Sequence, residues 1–160
     1  MLKIVMIIFF MITGSGLGIY VSSKLTKRRK FFEQMVMLLN SLCAEMSFRQ
    51  TQLSKLLVNN LQDKEVLSSI LNDYILFIDG KKNSYTIPKS FLSDSEYLLT
   101  KEMLSTLGRY DITTQMQVLQ GYKTRYEQFF DRAKDDELRR GSASRKLGFL
   151  SGVLCSVLIL

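Results

Sequence analysis

The side chains that could do chemistry in this chain are few and do not stand at catalytic spacing. The sequence contains no histidine, the commonest general base and metal ligand. Its serine, aspartate and glutamate residues are scattered, and no glycine-rich phosphate loop accompanies them. The one dense acidic run, Asp135-Asp136-Glu137, stands beside Arg139 and Arg140 and is typical of a solvated helix face rather than a metal site. We therefore expect no enzymatic activity, no cofactor and no bound metal.

Two polar pairs at helical spacing are the remaining candidates for recognition. Glu45 and Arg49 lie one turn apart on a helix whose apolar face should be buried, and Asp111 and Gln115 lie at the start of the last helix. They could be an exposed ion pair and a helix cap, or a polar patch that faces a partner. Both interpretations stay open, and the candidates for partner binding are Glu45, Arg49, Asp111 and Gln115.

Apolar stretches begin and end the chain. Ile4–Val21 corresponds to about 27 Å of helix, close to the thickness of a bilayer, and is expected to be an uncleaved anchor because it exceeds the usual length of a signal-peptide core. Leu147–Leu160 corresponds to only about 21 Å, so it needs a thinner bilayer or a partner helix to span it. Basic residues flank both stretches on the side of the middle segment: Lys24, Lys27, Arg28, Arg29, Lys30, Arg139, Arg140, Arg145 and Lys146. The positive-inside rule therefore places residues 22–146 in the cytosol and both chain ends across the membrane.

The net charge of +7 does not indicate a nucleic-acid-binding protein. Nine of the 22 basic residues are the membrane-proximal ones and Lys3 is a tenth, which leaves 12 basic against 15 acidic residues in the body of the chain. Without an interior basic stripe we expect no nucleic acid, and the basic ends are expected to lie against anionic lipid head groups. Cys43 and Cys155 would lie in different environments, so we expect no disulfide between them.

Apolar residues at three- and four-residue spacing predict helices along the middle of the chain. A long amphipathic helix from Lys24 to about Gln50 should continue out of the first apolar stretch. Thr51 can cap a short second helix, and Gly80 is a natural end for a third. Residues 81–90 contain the only proline and are predicted to form a loop.

The last two helices have recognisable beginnings. Ser93 and Glu96 form a capping-box signature for a helix that Gly108 would end. Asp111 is predicted to cap a long final helix that runs into the second apolar stretch. The expected fold class is all-α: a membrane-anchored antiparallel helical bundle, with a transmembrane helix at 1–23, a cytosolic helical domain at 24–146 and a transmembrane segment at 147–160.

Each apolar stretch carries a G-x-x-x-G motif. Gly14 and Gly18 form the first, and Gly148 and Gly152 form the second. A stripe without side chains lets two helix backbones approach closely in lipid, although glycine is also simply common in membrane helices. The presence of a motif in both stretches favours helix pairing.

Three stretches of the chain resemble one known family. They are Leu38–Met46 followed by Phe48 and Leu53, Thr106-Leu107-Gly108 with Asp111 and Gln115, and Leu147–Gly152 at the start of the terminal apolar tail. In order, spacing and two-anchor layout they resemble the stage III sporulation protein AB family of endospore-forming bacteria, over roughly 1–57 and 92–160. Residues 58–91 resemble nothing recognised. Two positions depart from the family pattern: Thr51-Gln52 replaces a frequent Thr-Pro, and Leu104 replaces a frequent glycine.

The resemblance implies a non-enzymatic scaffold in the channel complex between mother cell and forespore. Its helical domain would be similar to the inner-membrane platform proteins of type II secretion and type IV pilus machines. The implied partners are the stage III AA ATPase and other membrane proteins of the complex, and the implied location is the mother-cell membrane around the forespore. The alternative is a small holin-like pore-forming protein, which the large patterned middle domain disfavours. The sequence leaves the oligomeric state open, including a homo-oligomer.

Overall fold

The computed structural model of the chain describes residues 2–48, 55, 57, 58 and 66–159. The elements are α1 (Leu2–Phe48), α2 (Ser68–Ile78), α3 (Asp94–Thr106), α4 (Ile112–Asp136), a π-helical turn (Glu137–Gly141) and α5 (Ser142–Ile159). No strand occurs within these described ranges, and the predicted all-α class is confirmed. The helix predicted to begin at Thr51 falls largely outside the described residues, as does Arg49.

The contacts divide the chain into two compact units. The terminal unit consists of Met1–Arg29 and Arg132–Leu160, and the central unit consists of Lys30–Asp131. Residues 24–29 and 132–146, which the sequence assigns to the cytosolic domain, therefore cluster with the chain ends.

The core of the central unit is built on one face of α1. Phe31 and Phe32 are both fully buried, and the first ring lies 5.7 Å from that of Phe91. The Phe32 ring lies 6.1 Å from Tyr126 and 5.5 Å from Phe129 of α4. The same face continues at the spacing that the sequence predicts, with the fully buried residues Met35, Leu38, Leu39 and Leu42. Each such side chain contributes roughly 1.5–3 kcal/mol of burial free energy, so this face fixes α1 against its neighbours.

The helix ends of the central unit follow local signals in the sequence. The Ser93 hydroxyl accepts a bond from the Glu96 backbone N–H, and the Glu96 carboxylate accepts one from the Ser93 N–H at 2.8 Å, which confirms the capping box. Gly80 ends α2 in the left-handed region, with φ +71°. This conformation lets the Lys81 N–H reach the Leu76 carbonyl at 2.9 Å, the closing bond of a Schellman motif.

The start of α2 depends on a distant side chain. The Gln34 side-chain oxygen on α1 accepts bonds from the backbone N–H groups of Val66 at 3.2 Å and Leu67 at 3.0 Å. No side-chain cap is present at Leu67 itself. A residue of another helix therefore satisfies the backbone donors at this turn.

Two large apolar residues, one at the start of α4 and one in the π-helical turn after it, are exposed. Ile112, the first residue of α4, has 40% of its surface exposed, and Leu138 has 67%. Leu138 lies in the π-helical turn, where the wider hydrogen-bond spacing changes the direction of successive side chains. The simple helical period therefore does not hold there.

The terminal unit pairs the first part of α1 with the π-helical turn and α5. The contacts run in antiparallel order, because Gly18 lies against Ser144, Ser22 against Gly141 and Thr26 against Glu137. Across the part of the chain whose side chains the structure describes, no helix combines the length and the apolarity that crossing a membrane requires.

Candidate helix-pairing site

Three of the four motif glycines meet where α1 crosses α5. A Cβ atom added at Gly148 would lie 2.6 Å from the Gly14 carbonyl oxygen and 2.9 Å from the Gly18 Cα. A Cβ atom added at Gly18 would lie 2.6 Å from the Ser144 carbonyl oxygen. Real Cβ atoms essentially never come within 3.0 Å of another heavy atom, so the two backbones approach to a distance that only glycine permits.

Other glycines of the same unit do not share this constraint. A Cβ atom at Gly141 would meet the Ser22 hydroxyl at 3.6 Å, an ordinary contact, and one at Gly16 would meet nothing within 4 Å. Gly152 belongs to α5, but its surroundings lie outside the described part of the structure. The close approach is therefore specific to one face of each helix, at Gly14, Gly18 and Gly148.

A cluster of charged and polar side chains joins the same two chain segments further along. The Thr26 hydroxyl donates to Glu137 Oε1 at 2.7 Å, and the Arg29 side chain donates to the other oxygen of the same carboxylate. Arg28 Nη1 donates to Asp136 Oδ2 at 2.9 Å. All four charged side chains of these two ion pairs are half-buried, with exposed fractions between 21% and 31%. The pairs thus add charge-assisted contacts to the glycine crossing.

The acidic run therefore differs from its sequence-based interpretation as a solvated face. Asp135 is exposed, as that interpretation predicts, whereas Asp136 and Glu137 face the basic residues of α1. The partners are separated by 108 residues in the sequence, so no local spacing could indicate the pairing. The only available signal was the presence of an acidic run near one apolar stretch and a basic cluster near the other.

The candidates for partner binding have different surroundings. Asp111 is exposed and caps α4, because its Oδ2 accepts a bond from the Thr114 N–H at 3.1 Å; hydrogen bonds from Thr114 lower the pKa of this carboxyl. Gln115 is only 1% exposed, and its Oε1 accepts the Gly108 N–H at 3.1 Å. Glu45 is half-buried on α1. Asp111 thus belongs to the surface, while Gln115 closes the turn from inside.

The turn between α3 and α4 also presents side chains that sequence reasoning did not select. Tyr110 is 49% exposed, and Arg109 beside it is exposed as well. Gly108 adopts a φ of +76° that favours glycine, and its N–H is held by Gln115. Tyr110 lies between Gly108 and Asp111, outside the apolar period of either helix. A large aromatic residue at such a position was the one indication in the sequence that this turn exposes it.

An open cavity of about 210 Å³ is lined by Glu102, Val118, Gly121, Tyr122 and Arg125. Burial raises the pKa of Tyr122. Among the residues that could be searched, no cluster of histidine, cysteine, aspartate or glutamate is suited to hold a metal ion.

The fold and the site define an all-helical protein whose first and last helices pair through glycine backbones. The stage III sporulation protein AB family profile matches residues 3–74 and 81–160. The chain belongs to this family, which is not a known enzyme family and whose stage III sporulation role is consistent with a component of a sporulation complex. The match also covers most of residues 58–91, for which the sequence alone indicated no resemblance. No curated protein and no solved structure matches the chain.

Proposed function

We propose that this protein is a non-enzymatic platform of the channel complex between mother cell and forespore. The terminal unit anchors it in the mother-cell membrane around the forespore, and the central unit docks a cytosolic secretion-type ATPase of the stage III AA type. The observation that carries the proposal is the glycine crossing, because close backbone contact between small residues is how helices associate in lipid. Membership of a stage III sporulation family supports the assignment to this complex.

The outer surface of the paired helices supports membrane anchoring. Around the crossing, large apolar side chains are exposed on both segments: Ile12, Leu17, Ile19, Tyr20, Leu147, Phe149, Leu150 and Leu154. Soluble proteins rarely leave such a continuous apolar surface to water, whereas acyl chains would cover it. In the sequence, basic residues follow the first apolar stretch and precede the second, so both basic clusters border the central segment. The positive-inside rule expects this arrangement when the central segment is cytosolic.

The turn between α3 and α4 supports the docking role. Arg109, Tyr110 and Asp111 are exposed, and arginine and tyrosine are enriched among residues that dominate protein–protein binding energy. The turn is held by Asp111 capping α4 and by Gln115 binding Gly108, so little ordering is required on binding. We assign the ATPase contact to this turn, with Glu45 as a second candidate contact.

Membrane anchoring is tested by extracting membranes from sporulating cells with alkaline carbonate. An anchored protein stays in the membrane pellet with known integral proteins. Release into the supernatant together with peripheral proteins would refute the anchoring.

The docking surface is tested by measuring ATPase capture by the full-length protein in micelles. Tyr110→Ala is expected to weaken binding at least tenfold, and Asp111→Asn, which keeps a good helix cap but removes the charge, by a smaller factor. Glu45→Ala tests the second candidate. The matched control is Leu98→Ala, because Leu98 is 61% exposed on α3 outside the turn. Wild-type affinity in all three test variants, with unchanged circular dichroism, would remove the docking assignment.

A further inference from the structure

The basic residues of the terminal unit include two sets with different surroundings. Arg28 and Arg29 are half-buried and paired with Asp136 and Glu137. A second set is exposed, and within the described part of the chain none of its members has an acidic side chain in ion-pair distance: Lys24, Lys27, Arg139 and Lys146. The first set is paired within the protein, whereas the second set has charge available for an external anion.

We infer that Lys24, Lys27, Arg139 and Lys146 form a binding surface for the anionic head groups of phospholipids, named here the head-group surface. The inference rests on the proposed membrane anchoring, because that anchoring brings this surface to the lipid boundary. It goes further in dividing the basic clusters by role. Arg28 and Arg29 hold the two chain segments together, and the four exposed residues contact lipid.

The neighbours of the head-group surface indicate lipid rather than another anionic partner. Lys146 directly precedes the exposed Leu147, and Lys24 follows the exposed Tyr20 and Val21 by a helical turn or less. Lysine and arginine can lay their aliphatic stems along an apolar surface while the charge reaches the head-group layer. Tyrosine is enriched at the same boundary. A surface that places exposed cations at the edge of exposed apolar side chains matches the two layers of a membrane leaflet.

Lysine reactivity in vesicles tests the head-group surface. The full-length protein is reconstituted into phosphatidylcholine vesicles with and without phosphatidylglycerol and treated with a water-soluble amine reagent. Mass spectrometry then gives labelling rates at Lys24, Lys27 and Lys146, with the exposed Lys101 of α3 as the internal reference. Phosphatidylglycerol is expected to slow labelling of the three lysines about fivefold each, and to leave Lys101 unchanged. Inorganic phosphate added to phosphatidylcholine vesicles is expected to leave all rates unchanged.

Matched variants separate the two sets of cations. The double variant Arg28→Gln/Arg29→Gln is expected to keep the protection by phosphatidylglycerol while lowering the melting temperature in both lipid mixtures. Phosphatidylglycerol is expected to raise the melting temperature of the unaltered protein, because a bound lipid stabilises the folded state. Lys24→Gln/Lys27→Gln should lose this increase but keep the melting temperature that the unaltered protein has in phosphatidylcholine. Equal labelling rates in the two lipid mixtures, equal slowing at Lys101, or protection by inorganic phosphate would each overturn the inference.

The same vesicles distinguish this inference from the proposed function. A protein that resists extraction by alkaline carbonate but shows no effect of phosphatidylglycerol is anchored without a head-group surface. A protein that carbonate removes, yet whose lysines phosphatidylglycerol vesicles protect at low salt, has the head-group surface without the anchor.

Discussion

Replacing Gly148 with alanine tests the pairing of α1 and α5 with the smallest possible perturbation. The added Cβ atom would lie 2.6 Å from the Gly14 carbonyl oxygen, whereas ordinary van der Waals contact begins at 3.4 Å. Both close neighbours, the Gly14 carbonyl and the Gly18 Cα, are backbone atoms, so no flexible side chain can move aside. The helices must separate by about 0.8 Å at the crossing, the difference between those two distances.

The energetic effect follows from the packing lost along the crossing. A gap of about 0.5–1 Å removes a quarter to a half of the dispersion energy of each atom pair it separates. Overpacking by one methyl group in a well-packed interface costs about 1–3 kcal/mol. Alanine also gains about 1 kcal/mol of helix propensity over glycine, so we expect Gly148→Ala to lower the unfolding free energy of the protein by up to about 2 kcal/mol. Gly18→Ala should cost a similar amount, because its Cβ atom would lie 2.6 Å from the Ser144 carbonyl oxygen.

The matched control is Gly16→Ala, which lies in the same helix as Gly18. A Cβ atom at Gly16 meets nothing within 4 Å, and alanine is the better helix former by about 1 kcal/mol. Gly16→Ala should therefore leave stability unchanged or raise it slightly. The assay is unfolding of the full-length protein in mixed micelles by increasing dodecyl sulfate, followed by circular dichroism.

A double variant checks the shared origin of the two losses. Because Gly18→Ala and Gly148→Ala both widen one crossing, their combined cost should be smaller than the sum of the single costs. Indistinguishable unfolding midpoints for Gly18→Ala and Gly16→Ala would refute the reasoning, since these glycines lie two residues apart in α1 and differ in what the added methyl group meets.

Two further predictions concern charge and pH. Glu137→Gln keeps a hydrogen-bond acceptor for Thr26 but removes the charge that faces Arg29. A double-mutant cycle with Arg29→Gln should give a coupling free energy of about 1 kcal/mol, which falls in high salt. Zero coupling at low salt would contradict the ion pair. Burial, together with Tyr85 and against the opposing effect of Arg109, raises the pKa of Tyr74 from 10.0 to about 12. The unfolded chain therefore loses this proton first as pH rises, so the free energy of unfolding should fall between pH 10 and 12 by up to about 3 kcal/mol. Urea unfolding at a series of pH values measures this loss, which should be smaller in Tyr74→Phe. Identical pH dependence in both proteins would exclude Tyr74 as the source.

Local structure was predictable where the signal is local. Two helix ends could be predicted because each depends on residues within one helical turn. They are the capping box of Ser93 and Glu96 and the end of α2 at Gly80. The buried face of α1 was predictable for the same reason, because helical spacing alone places Phe32, Met35 and Leu39 on one side.

The candidate site was only partly predictable. The sequence identified Gly14, Gly18 and Gly148 as residues suited to close packing, but not which helices they would join. It left Gln115 open between a helix cap and a partner-facing patch, whereas the fold turns that side chain inward to bind the Gly108 N–H. From the sequence alone, the Gln115 amide and the Asp111 carboxylate are equally suited to a polar surface. Only the tertiary structure shows that Gln115 is buried and Asp111 is exposed.

By itself, the sequence determined that this protein is helical, where several helices begin and end, and to which family it belongs. Only the tertiary structure decided that Asp136 and Glu137 pair with Arg28 and Arg29, and that Gln34 holds the turn before α2. The physical reason is the range of the interactions. Helix signals act over one turn of chain, whereas these contacts join groups far apart in sequence, whose meeting depends on packing and on the π-helical turn at Glu137–Gly141.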